Sequence, residues 1–332
     1  MRTTYEAVGA ERTDVYYAIA GYVVQLSFAG KALLRLMTPA LAHRQLPARS
    51  APDLHVCLRD TVETAVPLPQ RPWEWRDHIA RSDVSSLTSE RFQTAYNWPQ
   101  RHLDILDQAR NLAFSCTYNA AKSPADYAGS PLLNILHWWM RSRGLQYIHA
   151  GAVGFPDKGV LLAGAGGSGK STTALACLQS DLVYVGDDYC LIGSAPQPYA
   201  HNLYSSAKVH RDNLHRLPHV RSAVSNADSP ASEKALLCLQ PHFPHKVVPG
   251  LPIRAVFLPR PTGRVETRLV PASRMEAFKA IMVSTMMQLA GSNDHDVKAL
   301  SHFIRQVPCY HLEAGTDLDG LTGTIRKFLS AV

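Results

Sequence analysis

The sequence has no run of five or more basic residues, although its 34 lysines and arginines outnumber its 27 aspartates and glutamates. Positive charge scattered in this way does not indicate a nucleic-acid surface, so we expect no nucleic-acid partner. The formal net charge of +7 favours small anionic partners such as phosphates in a general way.

Long apolar runs and closely spaced cysteine pairs are also missing. The most apolar early stretch, residues 15–28, is interrupted by polar residues and is too short to span a bilayer, and residues 1–14 are too polar for a secretory signal. The six cysteines show no Cys-x-x-Cys spacing and lie in apolar segments, which is typical of reduced, buried thiols. We therefore expect a cytoplasmic protein without a membrane partner.

A glycine-rich segment links a strand-like run, residues 160–163, to a helix-like run rich in alanine and leucine. It has the pattern Gly-x-x-x-x-Gly-Lys-Ser, in which glycines allow backbone N–H groups to wrap a polyphosphate. Lys170 would reach the phosphate oxygens and the Ser171 hydroxyl would ligate Mg²⁺. The alternative is a glycine-rich turn without a ligand. The predicted cofactor-binding residues are Gly164, Ala165, Gly166, Gly167, Ser168, Gly169, Lys170, Ser171 and Thr172.

Two adjacent carboxylates, Asp187 and Asp188, follow the next strand-like run. Carboxylates at a strand end after a phosphate loop are where such enzymes keep magnesium and orient the attacking group. The alternative is an acidic turn with no chemistry. Because successive strand residues point to opposite sides, the two aspartates are expected to have different roles.

His149 lies in a segment that we predict to be one strand, residues 145–153. A strand histidine is either a satisfied structural residue or a partner of the acidic pair. His149 precedes Lys170 by 21 residues, and Asp187 and Asp188 follow Lys170 by 17 and 18 residues.

This arrangement resembles the catalytic domain of HPr kinase/phosphorylase, a bacterial serine kinase built on a phosphate-binding loop. The whole chain is most similar to the HPr-kinase-like proteins of lasso-peptide (RiPP) biosynthesis clusters, some of which phosphorylate a serine of the precursor peptide. Three stretches carry this second resemblance: residues 148–153 (IHAGAV), 186–189 (GDDY) and 203–208 (LYSSAK).

The resemblance implies ATP and Mg²⁺ as cofactors and assigns roles to the predicted catalytic residues. Lys170 would contact the transferring phosphate, and Asp188 would take the proton of the attacking hydroxyl, with Asp187 as the second candidate for the base. Ser171 and Asp187 would hold the metal. His149 would form a hydrogen bond with the acidic pair and tune its charge. Lys208 or Lys234 could occupy the place of a family arginine near the substrate.

The fold expected from these patterns is α/β, with two domains. Residues 1–144 would form a mixed α+β accessory or substrate-recognition domain, and the resemblance implies an HPr-kinase-like, PEP-carboxykinase-like catalytic domain over residues 145–332. In the first part, residues 15–28 and 32–37 are predicted as strands that turn near Gly30. A helix is predicted from Pro131, capped by Ser130, to the residues before Gly144.

The predicted reaction is transfer of the γ-phosphate of ATP to a serine hydroxyl of a peptide or protein, such as a lasso-peptide precursor. Two alternatives stay open: a nucleotide-gated, peptide-binding ATPase, and a kinase for a sugar or amino-acid hydroxyl. The sequence leaves open whether the chain forms a homo-oligomer.

Overall fold

The computed structural model of the chain describes residues 11–49, 51–68 and 83–332. The chain divides into two compact units. The first comprises Met1–Arg143 with the short segment Leu289–Ser292, and the second comprises Gly144–Gln288 with Asn293–Val332. The short segment belongs to the first unit because the indole Nε1 of Trp138 donates to the Ala290 carbonyl at 2.8 Å.

The first unit is built on a seven-stranded mixed sheet. The order is β3-β1-β2-β4-β7-β6-β5, with β2–β4 and β4–β7 parallel and the other pairs antiparallel. The strands are β1 Arg12–Ile19, β2 Tyr22–Ala29, β3 Gln45–Leu46, β4 Leu54–Asp60, β5 Phe92–Asn97, β6 His102–Asp107 and β7 Leu112–Thr117. The helices are α1 Ala32–Leu41, α2 Thr61–Thr64, α3 Ala125–Gly129 and α4 Leu133–Arg141.

Two local predictions in this unit are wrong. The strand predicted for residues 32–37 is the first part of α1, and the hairpin turns at Gly21, where φ is +88°, instead of near Gly30. The eight-residue strands β1 and β2 already pair along their full length, so the following residues are free to form a helix. Its buried side chains, Leu33, Met37, Ala40 and Leu41, follow a helical repeat.

The helix predicted from Pro131 begins later, at Leu133. Its flanking residue Leu132 has a left-handed backbone with φ of +62°, so the chain has not yet entered the helix at Pro131, and Ser130 is not its cap. Most side chains of the helix are buried, and Gly144 follows it with φ of +73°.

The second unit contains a nine-stranded mixed sheet and a separate two-stranded ladder, β14–β15. The main path is β11-β9-β10-β16-β13-β12-β8, with β18 paired to both β16 and β17. The strands are β8 Gln146–Ile148, β9 Gly151–Phe155, β10 Lys158–Leu162, β11 Val183–Gly186, β12 Cys190–Gly193, β13 Tyr199–Asn202, β14 Ser206–Val209, β15 Ala235–Cys238, β16 Gly250–Pro261, β17 Arg268–Ala272 and β18 Cys309–Ala314. The helices are α5 Lys170–Ala176, α6 Arg274–Met286, α7 Asp294–Arg305 and α8 Leu318–Ala331.

Both faces of this sheet are covered by apolar side chains from helices. Along β10, Val160 and Leu162 point into a core shared with α5 and α8, whereas Leu161 points into a core shared with α6 and α7. Such a two-sided sheet explains why β10 is a continuous apolar run. The predicted α/β class is therefore confirmed.

The six cysteines are thiols; five are buried, and Cys238 is partly exposed. Among the described residues, no helix has the length and apolarity that crossing a membrane would need.

Candidate functional site

The phosphate-loop motif lies where the sequence predicts it, between the end of β10 and the start of α5. Gly167 and Gly169 have φ of +81° and +98°, a backbone region that residues with a Cβ rarely adopt. Gly169 is the residue that precedes the first turn of α5, so the loop ends with unpaired helix N–H groups. The segment can therefore present backbone donors to an anion.

Lys170 is buried beneath this loop, with 6% of its surface exposed. Its ammonium donates to the carbonyls of Gly164 at 2.7 Å and Ala165 at 3.1 Å. Burial lowers the pKa of Lys170, and the charges of Asp187 and Asp188 oppose that shift. Both aspartates therefore lie within electrostatic reach of the lysine, and Asp188 lines the same cavity as Lys170.

Asp187 is almost fully buried, at 1% exposure. Its Oδ2 accepts the backbone N–H of Lys208 at 3.1 Å, while its Oδ1 is buried and has no hydrogen-bond partner in the part of the chain that the structure describes. Burial and the charge of Asp188 raise the pKa of Asp187 to about 6, against the opposing effects of the Lys208 N–H, the Ser171 hydroxyl and Lys170. An oxygen in this state is ready to accept a proton or a cation.

Asp188 has different partners, as expected for the second of two adjacent residues. Its Oδ1 lies 3.1 Å from Nε2 of His149, and its Oδ2 lies 2.5 Å from Nζ of Lys208. Although burial alone would raise the pKa of Asp188, the charge of Lys208 and the contacts with His149 hold it well below its usual range. Asp188 is therefore an oriented, ionised carboxylate.

His149 is not inside a strand, which corrects the prediction. The predicted strand is two strands, because β8 pairs with β12 whereas β9 pairs with β10 and β11. His149 lies in the short segment between β8 and β9. Its backbone N–H donates to Oγ1 of Thr285 at 3.0 Å, and its Nδ1 lies 3.1 Å from Nε2 of Gln288. The end of α6 therefore holds His149 at two points.

The sequence did not identify Thr285 and Gln288 as part of the site. Thr285 lies in the last turn of α6, and Gln288 follows the helix end. The one available signal was a pair of polar residues three positions apart at the end of an otherwise apolar helix face.

One cavity of about 350 Å³ joins the phosphate loop to Asp188. Its lining includes Gly166 to Thr173 from the loop and α5, together with His149, Asp188, Lys208 and Lys234. Asp187 lies behind this surface, and Gly164 and Ala165 contribute carbonyls to Lys170 instead of lining the cavity. Lys208 is buried beside Asp188, whereas Lys234 is exposed at the cavity wall.

The donors around Asp187 fit a magnesium ion. Mg²⁺ takes oxygen ligands and is usually bound by one or two carboxylates together with substrate phosphates. The unpartnered Oδ1 of Asp187 and the neighbouring Ser171 hydroxyl are oxygen donors of this kind. Among the described residues there is no group of three or more His, Cys, Asp or Glu side chains that would form a metal cage without a substrate.

Comparisons with known proteins give little further information. No family model matches the chain, and no curated protein matches it. Among solved structures, the chain is similar to an HPr(Ser) kinase/phosphatase from Coxiella burnetii, with 11% identity, a TM-score of 0.32, and coverage of 56% of this chain and 97% of that chain.

Proposed function

We propose that the protein is an ATP- and Mg²⁺-dependent kinase that transfers the γ-phosphate to a hydroxyl group. The observation that carries this proposal is the single cavity that joins the phosphate loop, Lys170 and the Asp188–His149–Lys208 cluster. A phosphate-binding loop alone would be compatible with any nucleotide-binding protein. An oriented carboxylate in the same cavity adds a group that can accept the proton of an attacking alcohol.

The phosphates would be held mainly by the loop and Lys170. In the described structure the Lys170 ammonium is bonded to two loop carbonyls, so it is already fixed at the mouth of the loop. Because the ammonium is already removed from bulk water, it can bind phosphate oxygens without a further cost of desolvation. A magnesium ion held by Ser171 and Asp187 would supply neutralisation of the negative charge on the phosphates.

Asp188 would accept the proton as the acceptor oxygen bonds to phosphorus and the bond to ADP breaks. Its low pKa makes it a weak base, yet phosphoryl transfer passes through a loose transition state in which the nucleophile needs little activation. Orientation of the hydroxyl is then the larger contribution of Asp188. Asp187, behind the cavity surface, is better placed for the metal than for the acceptor.

The cavity also offers apolar surface for a nucleoside. Pro261 is exposed, lies beside Gly169 at the end of the loop, and lines the cavity together with the half-buried Leu318 of α8. Pockets for nucleotides combine apolar side chains with a few placed polar groups. This supports a nucleoside triphosphate as the phosphate donor.

The proposed acceptor is a serine of a peptide or protein, and the proposed role of the N-terminal unit is to recognise it. Support for this finer assignment comes from residues 148–153, 186–189 and 203–208, the stretches that resemble the kinases of lasso-peptide clusters. The precursor peptide of such a cluster is therefore the first acceptor to test.

The test is incubation with γ-³²P-labelled ATP, Mg²⁺ and candidate acceptors. Label on a peptide serine supports the proposal. Label on a sugar or amino acid would show that the acceptor is a small molecule, and release of free phosphate alone would indicate an ATPase. Asp188→Asn should lose transfer while retaining nucleotide binding. The matched control is Asp181→Asn, because the carboxylate of Asp181 is exposed and forms an ion pair with the exposed Arg326. Full transfer by Asp188→Asn would show that Asp188 is not the base.

A further inference from the structure

A chain of side chains leads from the interior of the second unit to the acidic pair. The hydroxyl of Tyr189 donates to Oε1 of Gln288, and Nε2 of Gln288 lies 3.1 Å from Nδ1 of His149. On the other side of the imidazole, Nε2 of His149 lies 3.1 Å from Oδ1 of Asp188. The imidazole is thus held between an amide and a carboxylate.

The chemistry of these groups fixes the direction of each hydrogen bond. An amide NH₂ group has no lone pair to offer, so Gln288 must donate and Nδ1 of His149 must accept. A carboxylate accepts, so Nε2 of His149 carries the proton and donates it to Asp188. In the structure the amide oxygen of Gln288 accepts from the Tyr189 hydroxyl, and its NH₂ group faces the imidazole.

We infer that Gln288, oriented by Tyr189, is a positioning residue that keeps His149 in the Nε2–H form. In this form His149 orients Asp188 by donating to it and cannot take over its proton at Nε2, because that nitrogen is already protonated. This inference rests on the proposed kinase function.

Two features support a positioning role instead of a catalytic one. Gln288 is not among the residues that line the cavity, so it acts through His149. The same helix end also fixes the backbone of His149, through Thr285 three residues earlier, so ring and backbone are anchored together. Groups that fix the tautomer of a working histidine are characteristic supports of functional sites.

The test uses Gln288→Glu, which replaces the donor with an acceptor of the same size. Two carboxylates would then face the imidazole, so Nδ1 of His149 should become protonated. With ¹⁵N-labelled protein at about pH 8, imidazole NMR should show an unprotonated Nδ1 for His149 in the wild type and a protonated Nδ1 in Gln288→Glu. His149→Gln identifies the resonance. The turnover number should fall about tenfold to a hundredfold while KM for ATP stays within about twofold.

Two further variants make the test independent of folding defects. Gln288→Met removes the amide without adding charge, and it should also lower kcat while KM for ATP is retained. Gln306→Glu makes the same charge change at the exposed end of α7 and should match the wild type. A wild-type His149 protonated on Nδ1 would overturn the inference, and so would a Gln288→Glu protein with wild-type resonances or kcat. If the wild type transfers no phosphate, the kinase proposal fails, and the wild-type NMR spectrum still decides the tautomer.

Discussion

The ammonium of Lys208 lies 2.5 Å from Oδ2 of Asp188, and the two side chains are only 9% and 21% exposed. Lys208 also donates its backbone N–H to Asp187, so a single residue of β14 contacts both members of the acidic pair. At Asp188, Lys208 therefore occupies the carboxylate oxygen that His149 does not contact. The ammonium charge of Lys208 lowers the pKa of Asp188, whereas burial and the charge of Asp188 raise the pKa of Asp187 against the smaller effect of the Lys208 N–H.

Replacing Lys208 with methionine should destabilise the protein and abolish transfer. Asp188 would keep its burial and lose its cationic partner. Breaking a fully buried pair costs about 3–5 kcal/mol, and the partial exposure of Asp188 places the expected loss at about 2 kcal/mol. Urea unfolding measures this difference. Lys234→Met, at an exposed position of the same cavity, should change stability by less than about 0.5 kcal/mol. Equal stability of the two variants would contradict a structural ion pair.

The two carboxylates predict different effects of pH on stability. Asp187 has a folded pKa of about 6, above the unfolded value of about 3.9. Its protonated form therefore favours folding at low pH, and this contribution is lost as the pH rises from about 4 to about 6. Asp188 behaves in the opposite sense, because its lowered pKa gives a contribution that is lost only as the pH falls below about 4.

Asp187→Asn should therefore stabilise the nucleotide-free protein at about pH 7 and have little effect at about pH 4. The expected gain is on the order of 1–3 kcal/mol, since one pKa unit corresponds to about 1.4 kcal/mol. Urea unfolding without Mg²⁺ at the two pH values measures it, with Asp181→Asn as the exposed control. The same variant should lose Mg²⁺-dependent transfer. A gain that is equal at both pH values would show that Asp187 is ionised throughout the range.

The phosphate loop could be predicted from the sequence because its information is local. The glycines, Lys170 and Ser171 are consecutive, and the strand before them and the helix after them are also coded by neighbouring residues. The position of the acidic pair at the end of β11 was predictable for the same reason. The pairing of Asp188 with Lys208 was not, because the resemblance indicates Lys208 only as one of two candidates for a position near the substrate.

The support of His149 depends on contacts that no local pattern contains. Thr285 and Gln288 are separated from His149 by 136 and 139 positions. The break between β8 and β9 depends on which strands pair with each half, and pairing partners are not coded within the segment. Residues 32–37 show the corresponding limit for short apolar runs, because strand and helix are both compatible with six such residues.

Lys170→Met should reduce phosphate transfer by about a hundredfold or more and weaken ATP binding, because the variant keeps the side-chain length and loses the charge that faces the phosphates. Single-turnover transfer and equilibrium titration with ATP measure the two effects. The control is Lys158→Met at the other end of β10, where the ammonium donates to the Val332 carbonyl. Wild-type affinity in Lys170→Met would contradict the assignment of the loop as the phosphate site.

Leu318→Ala should separate nucleoside binding from phosphate binding. Leu318 is half-buried at the cavity wall, so removing its side chain should cost about 1 kcal/mol of contact with a nucleoside, or about fivefold in ATP affinity. Inorganic triphosphate has no base or ribose, so its affinity should be unchanged. Calorimetric titration of both ligands measures the difference, and Met275→Ala, an exposed apolar residue of α6, is the control. Equal weakening of both ligands would mean that Leu318 supports the phosphate loop instead of a nucleoside.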